Sequence, residues 1–326
     1  MGPRRQEVTM KLVVGADFHI NEDRRFTDTS NLLQYILEQV SRIHPEYLVI
    51  LGDIFDKRRP TPREMRLLNK WLMAIKDSVY DGIVLLEGNH DLDRDVSALS
   101  YLQDLAIDKV LVVRPPYKLE GFYFDHVQIS GAVADNGFAL EQGQTLTSVT
   151  AANPECHTFA FGHLHKPQVL HENPRAFYAG SLDKISFAEA EDKKRIWIFE
   201  DKALENCIGL PTRPMYQFNL TATESQTDWQ FGMDLTGAMI KIVFSGTRDA
   251  LKGIDSGKLH YYFSNIKKVF SLKVAFDITD KSVSRNEIVN ESVSEKVALD
   301  EYFKDNSNKE AIVAHGLQII KESSNG

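Results

Sequence analysis

The stretch "KLVVGADFHI", residues 11–20, decides the fold, because an apolar run passes directly into a polar cluster. The apolar part predicts a buried strand, and Asp17 and His19 stand two positions apart at its end. Side chains at i and i+2 of a strand point to the same face, so these two groups would project together from one edge of a sheet. They are either part of a metal site or a strand end exposed to solvent.

The residues that follow alternate between helix and strand patterns. Apolar residues at helical spacing predict helices over 30–43 and 62–75, and the runs "EYLVILGD" (46–53) and "GIVLLEGNHD" (82–91) predict two further strands. This repeated βαβ pattern requires a sheet with parallel strands and helices packed against it.

From about residue 110 the pattern changes to closely spaced strands, which predict a second sheet layer packed on the first. The segment 201–214 has no clear period and predicts a connector. Beyond it, strands are expected over 237–246 and 270–278, and amphipathic helices over 294–306 and 308–322. We therefore predict an α/β fold, a two-layer sheet sandwich flanked by helices, with a small α+β domain. The expected boundaries are a flexible extension over 1–9, a main domain over 10–205 and the small domain over 206–326.

Composition limits the class of protein. The 326 residues are 43% hydrophobic, no apolar run approaches the roughly 18 residues needed to cross a bilayer, and the N-terminus lacks a secretory signal. Two cysteines are too few for a disulfide framework, so a reducing cytoplasm is the expected location. The net charge of −8 means that nucleic-acid binding would need a local patch or metal ions.

One basic cluster could supply such a patch. The stretch "DKRRPTPREMR" (56–66) could contact phosphates or could be an ordinary solvated loop and helix start, and charge alone does not choose between them. Its candidate DNA contacts are Lys57, Arg58, Arg59 and Arg63.

Each of the first three strands ends in polar residues, and a fourth strand does the same. The carboxyl ends of parallel strands are where open α/β sheets bind ligands. Carboxylate, imidazole and amide groups without thiolate suit manganese, iron or zinc. Six candidate ligands are too many for one catalytic ion, so we expect two ions roughly 3.5 to 4 Å apart that share one carboxylate. The candidate ligands are Asp17, His19, Asp53, Asn89, His163 and His165.

A catalytic role is expected for His90, which follows Asn89 directly. Two ions would bind a phosphate diester and activate a water, and His90 could then protonate the departing oxygen, with Asp91 orienting its ring. Each motif alone is a weak signal, but four of them in this order at strand ends are not explained by chance.

The motifs "DFH", "GDIFD", "GNHD" and "GHLH" resemble the signature of the calcineurin-like metallophosphoesterases. The segments "GHLHKPQ" and "FYAGSLDKISFAEAEDKKRIWIFE" are similar to the nuclease subunits of the SbcCD and Mre-type double-strand-break repair complexes, and the C-terminal part resembles their capping domain. The resemblance implies a manganese-dependent nuclease with 3′–5′ exonuclease activity on duplex DNA and endonuclease activity on single strands. It also implies an SMC-like ABC ATPase as partner and a homodimer. The segment with which the family docks on its ATPase is expected to be missing, truncated or outside this sequence.

Carried over by motif, the resemblance puts Asp53 between the two ions. Asp17, His19 and His165 would complete one site, and Asn89 and His163 the other, with His90 as the catalytic histidine and Asp56 in a supporting role.

The sequence departs from the family at one point. A metal-binding histidine that usually ends a strand upstream of "GHxH" has no clear counterpart, although His126 has a plausible separation and His157 lies closer. The second ion is therefore expected to be held more weakly.

Two alternatives stay open. One is a small-substrate phosphodiesterase or phosphatase, because the metal core alone does not select the substrate. The other, motivated by the missing upstream histidine, is a catalytically impaired scaffold that binds DNA ends or the ATPase without cutting.

Overall fold

The computed structural model describes residues 10–94, 96–201, 203–222 and 232–279. The predicted C-terminal helices over 294–306 and 308–322 lie outside these residues. The strands are β1 (Lys11–Gly15), β2 (Tyr47–Ile50), β3 (Gly82–Leu86), β4 (Leu92–Asp93), β5 (Val96–Ser97), β6 (Val110–Val113), β7 (Tyr117–Leu119), β8 (Phe122–His126), β9 (Thr158–Gly162), β10 (Gln168–Glu172), β11 (Arg175–Tyr178), β12 (Arg195–Glu200), β13 (Ala203–Gly209), β14 (Met215–Thr221), β15 (Met239–Gly246) and β16 (Ser271–Ile278).

The helices lie between these strands. Short 3₁₀ turns span Lys76–Ser78 and Phe187–Glu189, and a π-helical turn spans Tyr262–Ile266. The α-helices are α1 (Phe26–Ile43), α2 (Pro62–Ile75), α3 (Ser100–Leu105), α4 (Leu146–Ala152), α5 (Arg248–Lys252) and α6 (Ser256–Tyr261).

Two sheets form the main body. The first has the order β13-β12-β1-β2-β3-β6, in which β1, β2, β3 and β6 are parallel and β12 and β13 are antiparallel. The second has the order β10-β11-β9-β8-β7, with β11, β9 and β8 parallel. The predicted two-layer α/β sandwich is confirmed. Two of the strands predicted for the second layer, β6 and β12, belong instead to the first sheet.

Alternating side chains of the first sheet fill two apolar layers. On β1, Val13 packs with α1 and α2, in the layer that contains Leu33 and Leu72. Its neighbours Leu12 and Val14 face the other way and pack with side chains of the second sheet, such as Phe124. This period of two explains why Leu12, Val13 and Val14 are all apolar, since both faces of β1 are buried there.

The outer face of the second sheet is covered as well. Phe159, Phe161 and Tyr178 pack against Ile129 and against Val149 of α4. The carboxyl ends of β1, β2, β3, β8 and β9 therefore emerge from a closely packed sandwich, and this rigid base positions the loops described below.

The described residues divide into two compact units. The first contains 10–218, 232–242 and 257–273, apart from 95 and 202, and the second contains 219–222, 243–256 and 274–279. A further sheet of three strands has the order β14-β15-β16. The expected domain boundary at 205/206 stays a prediction. Among the residues that the structure describes, no helix combines the length and apolarity that a membrane span requires.

Candidate metal centre

Five strands deliver the candidate site residues to one edge of the sandwich. Asp17 and His19 follow β1, Asp53 follows β2, and the pair Asn89 and His90 follows β3. The second sheet contributes three histidines: His126 is the last residue of β8, and His163 and His165 follow β9. The six predicted ligands and His90 thus come together as a strand-end cluster, as expected for parallel strands.

One group of potential ligands surrounds His19. Its Nε2 lies 3.0 Å from Nε2 of His165 and 3.8 Å from Oδ2 of Asp53. Ligand atoms of Asp17, His19 and Asp53 lie within 4.8 Å of one another, and all three residues are buried. The carboxylate of Asp17 also accepts the backbone N–H of His163 at 3.1 Å. This group can hold one ion with two carboxylates and two imidazoles.

A second group shares Asp53 with the first. Oδ1 of Asn89 lies 2.9 Å from Nδ1 of His163 and 3.1 Å from Nε2 of His126. Nε2 of His126 is also 3.4 Å from Oδ2 of Asp53. Because Asp53 reaches both groups, it is placed to bridge two ions.

His126 occupies the position for which the sequence showed no clear histidine. The apolar pattern of the sequence continues beyond His126 to Ile129, but β8 ends at His126, where its pairing with β9 also ends. Nδ1 of His126 donates to the carbonyl of Leu51 at 2.8 Å, which leaves Nε2 to face Asp53. His157 precedes β9 at the opposite end of that strand.

His90 is oriented by a backbone carbonyl. Its Nδ1 donates to the carbonyl of Asp56 at 2.8 Å, and its backbone N–H donates to Oδ1 of Asp53 at 2.8 Å. The expectation that Asp91 orients this ring is wrong. Both oxygens of Asp91 instead accept backbone N–H groups, including those of Ile54 and Phe55, so Asp91 fixes the loop after β2.

The backbone at four candidate ligands is left-handed, which is uncommon for residues other than glycine. The φ angles are 51° at Asp17, 46° at His19, 48° at Asp53 and 91° at His163. Such conformations cost free energy and persist where the surrounding structure imposes them, often at functional sites. Here the packed strands below the loops impose them.

Two glycines in the motifs are required by close approach. A Cβ at Gly88 would lie 2.2 Å from the backbone nitrogen of Asp53, and a Cβ at Gly162 would lie 1.9 Å from the carbonyl oxygen of Leu51. Gly88 therefore allows the loops after β2 and β3 of the first sheet to touch, and Gly162 allows the end of β9 in the second sheet to approach the end of β2.

The site favours positive charge. Burial disfavours a charged imidazole, but the carboxylates of Asp53 and Asp17 outweigh it and raise the pKa of His126 to about 9. Burial also opposes ionisation of Asp53, yet the contact with His126 lowers the pKa of Asp53 to about 2. Burial likewise opposes a charged His165, and the nearby carboxylates of Asp135 and Glu189 still raise the pKa of His165 to about 10.

The donor set fits divalent cations. Ring nitrogens of His19 and His165 point at each other, and those of His126 and His163 point at the same amide oxygen of Asn89. Converging lone pairs repel unless a proton or a cation lies between them. Oxygen and nitrogen donors without thiolate suit manganese, iron or zinc, and a cation that enters would displace protons from the imidazoles.

The basic cluster beside this site is partly neutralised. Lys57 pairs with Asp23, and Arg59 pairs with Asp93 at 2.7 Å. The guanidinium of Arg63 lies over the ring of Phe26, 4.5 Å from its centroid. Arg58 is exposed, two residues from the Asp56 carbonyl that orients His90.

The fold and the strand-end cluster agree with the metallophosphoesterase resemblance of the sequence. Residues 10–159 match the model of the calcineurin-like phosphoesterase family, and the chain contains a domain of that family. The resemblance noted in the sequence is thereby confirmed at the level of the domain.

Particular relatives add detail. The chain is 26% identical over 231 residues to the DNA double-strand break repair protein Mre11 of Archaeoglobus fulgidus, an alignment that covers 56% of this chain and 52% of that protein. It is 23% identical over 272 residues to the SbcD component of the nuclease SbcCD of Staphylococcus epidermidis, which covers 65% of this chain and 72% of that protein. The alignment therefore spans about half the length of the archaeal relative.

A solved structure is also similar. The Pseudomonas putida nuclease MPE aligns with 57% of this chain and 83% of its own, with 18% identity and a TM-score of 0.35.

Proposed function

We propose that this chain is a manganese-dependent DNA nuclease of the SbcD/Mre type. The single observation that carries the proposal is Asp53, whose carboxylate contacts an imidazole of both ligand groups, 3.8 Å from His19 and 3.4 Å from His126. A carboxylate between two such groups is the arrangement of two-metal phosphoesterases. The names of the two relatives support DNA as the substrate.

The residues divide into two ligand sets. Two divalent ions, when bound, would supply a nucleophile at neutral pH and positive charge for the phosphate oxygens. Asp17, His19, Asp53 and His165 would hold one ion, and Asp53, Asn89, His126 and His163 would hold the other.

His90 is the proposed general acid. Because its Nδ1 donates to the Asp56 carbonyl, the proton that it could transfer to the departing oxygen is on Nε2. Transfer leaves a neutral ring that keeps its Nδ1–H bond, so the ring need not turn during the reaction.

The finer activities come from the family resemblance and are part of the proposal. They are 3′–5′ exonuclease activity on duplex DNA, endonuclease activity on single strands, assembly with an SMC-like ABC ATPase, homodimerisation and a cytoplasmic location. The relative from Staphylococcus epidermidis is named as one subunit of SbcCD, which supports a complex with a second, different subunit.

Cleavage assays with Mn²⁺ test the proposal. Purified protein is incubated with duplex DNA labelled at either the 5′ or the 3′ end, with single-stranded circles, and with bis-p-nitrophenyl phosphate. We expect a ladder of shortened products from the 5′ label and early release of mononucleotide from the 3′ label. Cleavage of the small ester without any cleavage of DNA would instead support the small-substrate phosphodiesterase.

The variant His90→Asn separates chemistry from binding. We expect its kcat on the small ester to fall roughly 10²- to 10⁴-fold, because the departing oxygen loses its proton donor. Calorimetric binding of Mn²⁺ should stay unchanged. Wild-type protein that binds two ions and hydrolyses neither substrate would support the scaffold alternative. That alternative is motivated by a missing metal-binding histidine, and the placement of His126 weakens it.

The basic cluster can be tested through Arg58. Arg58→Ala should weaken DNA binding and reduce the salt slope of the binding constant by about 1, because one phosphate contact is lost. Hydrolysis of bis-p-nitrophenyl phosphate should not change. The matched control is Lys252→Ala, which removes an exposed cation on α5. Equal effects of the two variants on DNA binding would reject a role for the cluster.

A further inference from the structure

The four imidazoles of the proposed centre differ in what lies behind them, at the ring nitrogen that faces away from the ligand groups. Nδ1 of His19 lies 3.3 Å from Oδ1 of Asp56. Nδ1 of His165 lies 3.3 Å from Oδ2 of Asp135 and 3.6 Å from Oε1 of Glu189. Both nitrogens are buried and have no aligned hydrogen-bond partner. A carboxylate oxygen therefore lies 3.3 Å from each Nδ1, close enough to interact with its N–H after a small rotation of either side chain.

The imidazoles of the second group have neutral partners instead. Nδ1 of His126 donates to the carbonyl of Leu51 at 2.8 Å, and Nε2 of His163 lies 3.0 Å from the side-chain amide of Gln128. The contrast extends to the ligands themselves, because the second group includes the neutral Asn89 where the first has Asp17.

The carboxylate behind His165 is fixed in place. Oε2 of Glu189 accepts from Nζ of Lys194 at 2.7 Å, and both side chains are at most 1% exposed. Nζ of Lys194 also donates to the backbone carbonyl of His165 at 2.7 Å. One buried ammonium thus holds both the backbone of His165 and the carboxylate beside its ring.

The carboxylate behind His19 is fixed as well. Asp56 accepts from Nδ2 of Asn21 at 2.6 Å and from Arg24 at 2.6 Å. Its position does not depend on His19, so it is available to the imidazole before any ion arrives.

We propose that Asp56, Asp135 and Glu189 are positioning residues that make the two ion sites unequal, so that the site around His19 and His165 fills first. A carboxylate behind an imidazole fixes its tautomer and orientation and makes the opposite nitrogen a stronger donor. Because Asp56 pairs with Arg24 and Glu189 pairs with Lys194, these two carboxylates act through the orientation and polarisation of the imidazoles rather than through net charge. The inference rests on the proposed two-ion centre but not on DNA as the substrate.

Titration calorimetry with Mn²⁺ on metal-free protein tests the inference without any turnover. We expect two separable binding steps in the wild type. Asp135→Asn and Asp56→Asn should weaken the tighter step by about 10- to 100-fold and leave the looser step in place. Gln128→Ala and Asn89→Ala should weaken only the looser step. Glu172→Gln, an exposed carboxylate paired with Arg175, is the control and should change neither.

Several results would overturn the inference. Two equal steps in the wild type, or an equal weakening of both steps in Asp135→Asn, would do so. Absence of any Mn²⁺ binding would overturn the inference and the proposed centre together. Unequal binding with the expected variant pattern, in a protein that cleaves no phosphodiester, would support the inference while the proposed function fails. Glu189→Gln should follow Asp135→Asn, and Asp135 provides the cleaner test because Glu189 has a buried ion pair to lose.

Discussion

At the scale of single residues, Gly162 is required by the contact between the two sheets. A side chain at Gly162 would collide with the carbonyl of Leu51, which is main chain and cannot rotate away. The adjacent His163 has a left-handed backbone. The residue that turns the chain and the residue that would bind an ion are therefore set by one local geometry.

Gly162→Ala should lower the free energy of unfolding by about 3 kcal/mol, because the added methyl group must separate packed strands. Urea denaturation of the metal-free protein measures the loss. Gly209→Ala is the matched control, since nothing lies within 4 Å of the Cβ that it adds in β13. Equal stability of the two variants would show that the loops after β2 and β9 yield easily.

Individual site residues differ in how well the sequence predicts them. Asp17, Asp53 and Asn89 are evident because each closely follows an apolar strand. His126 gives a weaker signal, because the apolar pattern continues beyond it to Ile129, and the end of β8 is set by pairing with β9. Glu189 gives no sequence signal, since its approach to His165 depends on the folded loops.

At the scale of elements, the N-terminus of α2 is specified entirely by local residues. The predicted helix over 62–75 is confirmed, and Thr61 precedes it as the N-cap. Thr61 Oγ1 accepts from the backbone of Glu64 at 3.3 Å, and the Glu64 carboxylate accepts from the backbone of Thr61 at 2.7 Å. This reciprocal pair is a capping box.

Thr61→Ala should destabilise the protein by about 1 kcal/mol, because the first turn of α2 loses a hydrogen-bond acceptor. Thr61→Ser keeps the hydroxyl group and should recover most of that loss. Thermal or urea unfolding monitored by circular dichroism measures both variants. A serine variant as unstable as the alanine variant would point to packing of the threonine methyl group instead.

For one element the prediction is wrong. The pattern over 201–214 predicts a connector, but Ala203–Gly209 forms β13, which pairs antiparallel with β12 at the edge of the first sheet. An edge strand packs on one side only, so its apolar residues are few and their period is weak. The register shift in this pairing blurs the period further.

At the scale of the whole molecule, the sequence predicts the two sheet layers but not which sheet every strand belongs to. The βαβ repeats specify the parallel core of the first sheet. Strand β12, far along the chain, pairs with β1 and extends that sheet. Nothing local to "RIWIFE" (195–200) carries this information, because pairing between distant strands depends on the assembled fold.

The buried pair of Glu189 and Lys194 predicts how stability depends on acidity. Burial opposes the carboxylate, but His165 and Lys194 outweigh it and lower the pKa of Glu189 to about 2, from an ordinary value of 4.5. A folded pKa below the unfolded one stabilises the protein above about pH 4.5, and this stabilisation is lost as the pH falls toward 2.

Glu189→Gln therefore should cost most stability above pH 4.5, and the gap between wild type and variant should narrow as the pH is lowered. Urea denaturation of metal-free protein from pH 2 to 7 measures the gap. The exposed Glu172→Gln serves for comparison and should show little gap at any pH. A constant gap for Glu189→Gln would mean that its ionisation does not contribute.

The joining of the two sheets at one edge has a consequence for the strength of the whole sandwich. Asp17 and His165 are separated by 165 − 17 = 148 positions along the chain and face the same ligand group. An ion held by both would close a long loop, as a disulfide does, and would restrict the unfolded chain. The proposed ions would thus act as a reversible cross-link between the two sheets. Chelation would lower the free energy of unfolding and abolish hydrolysis together.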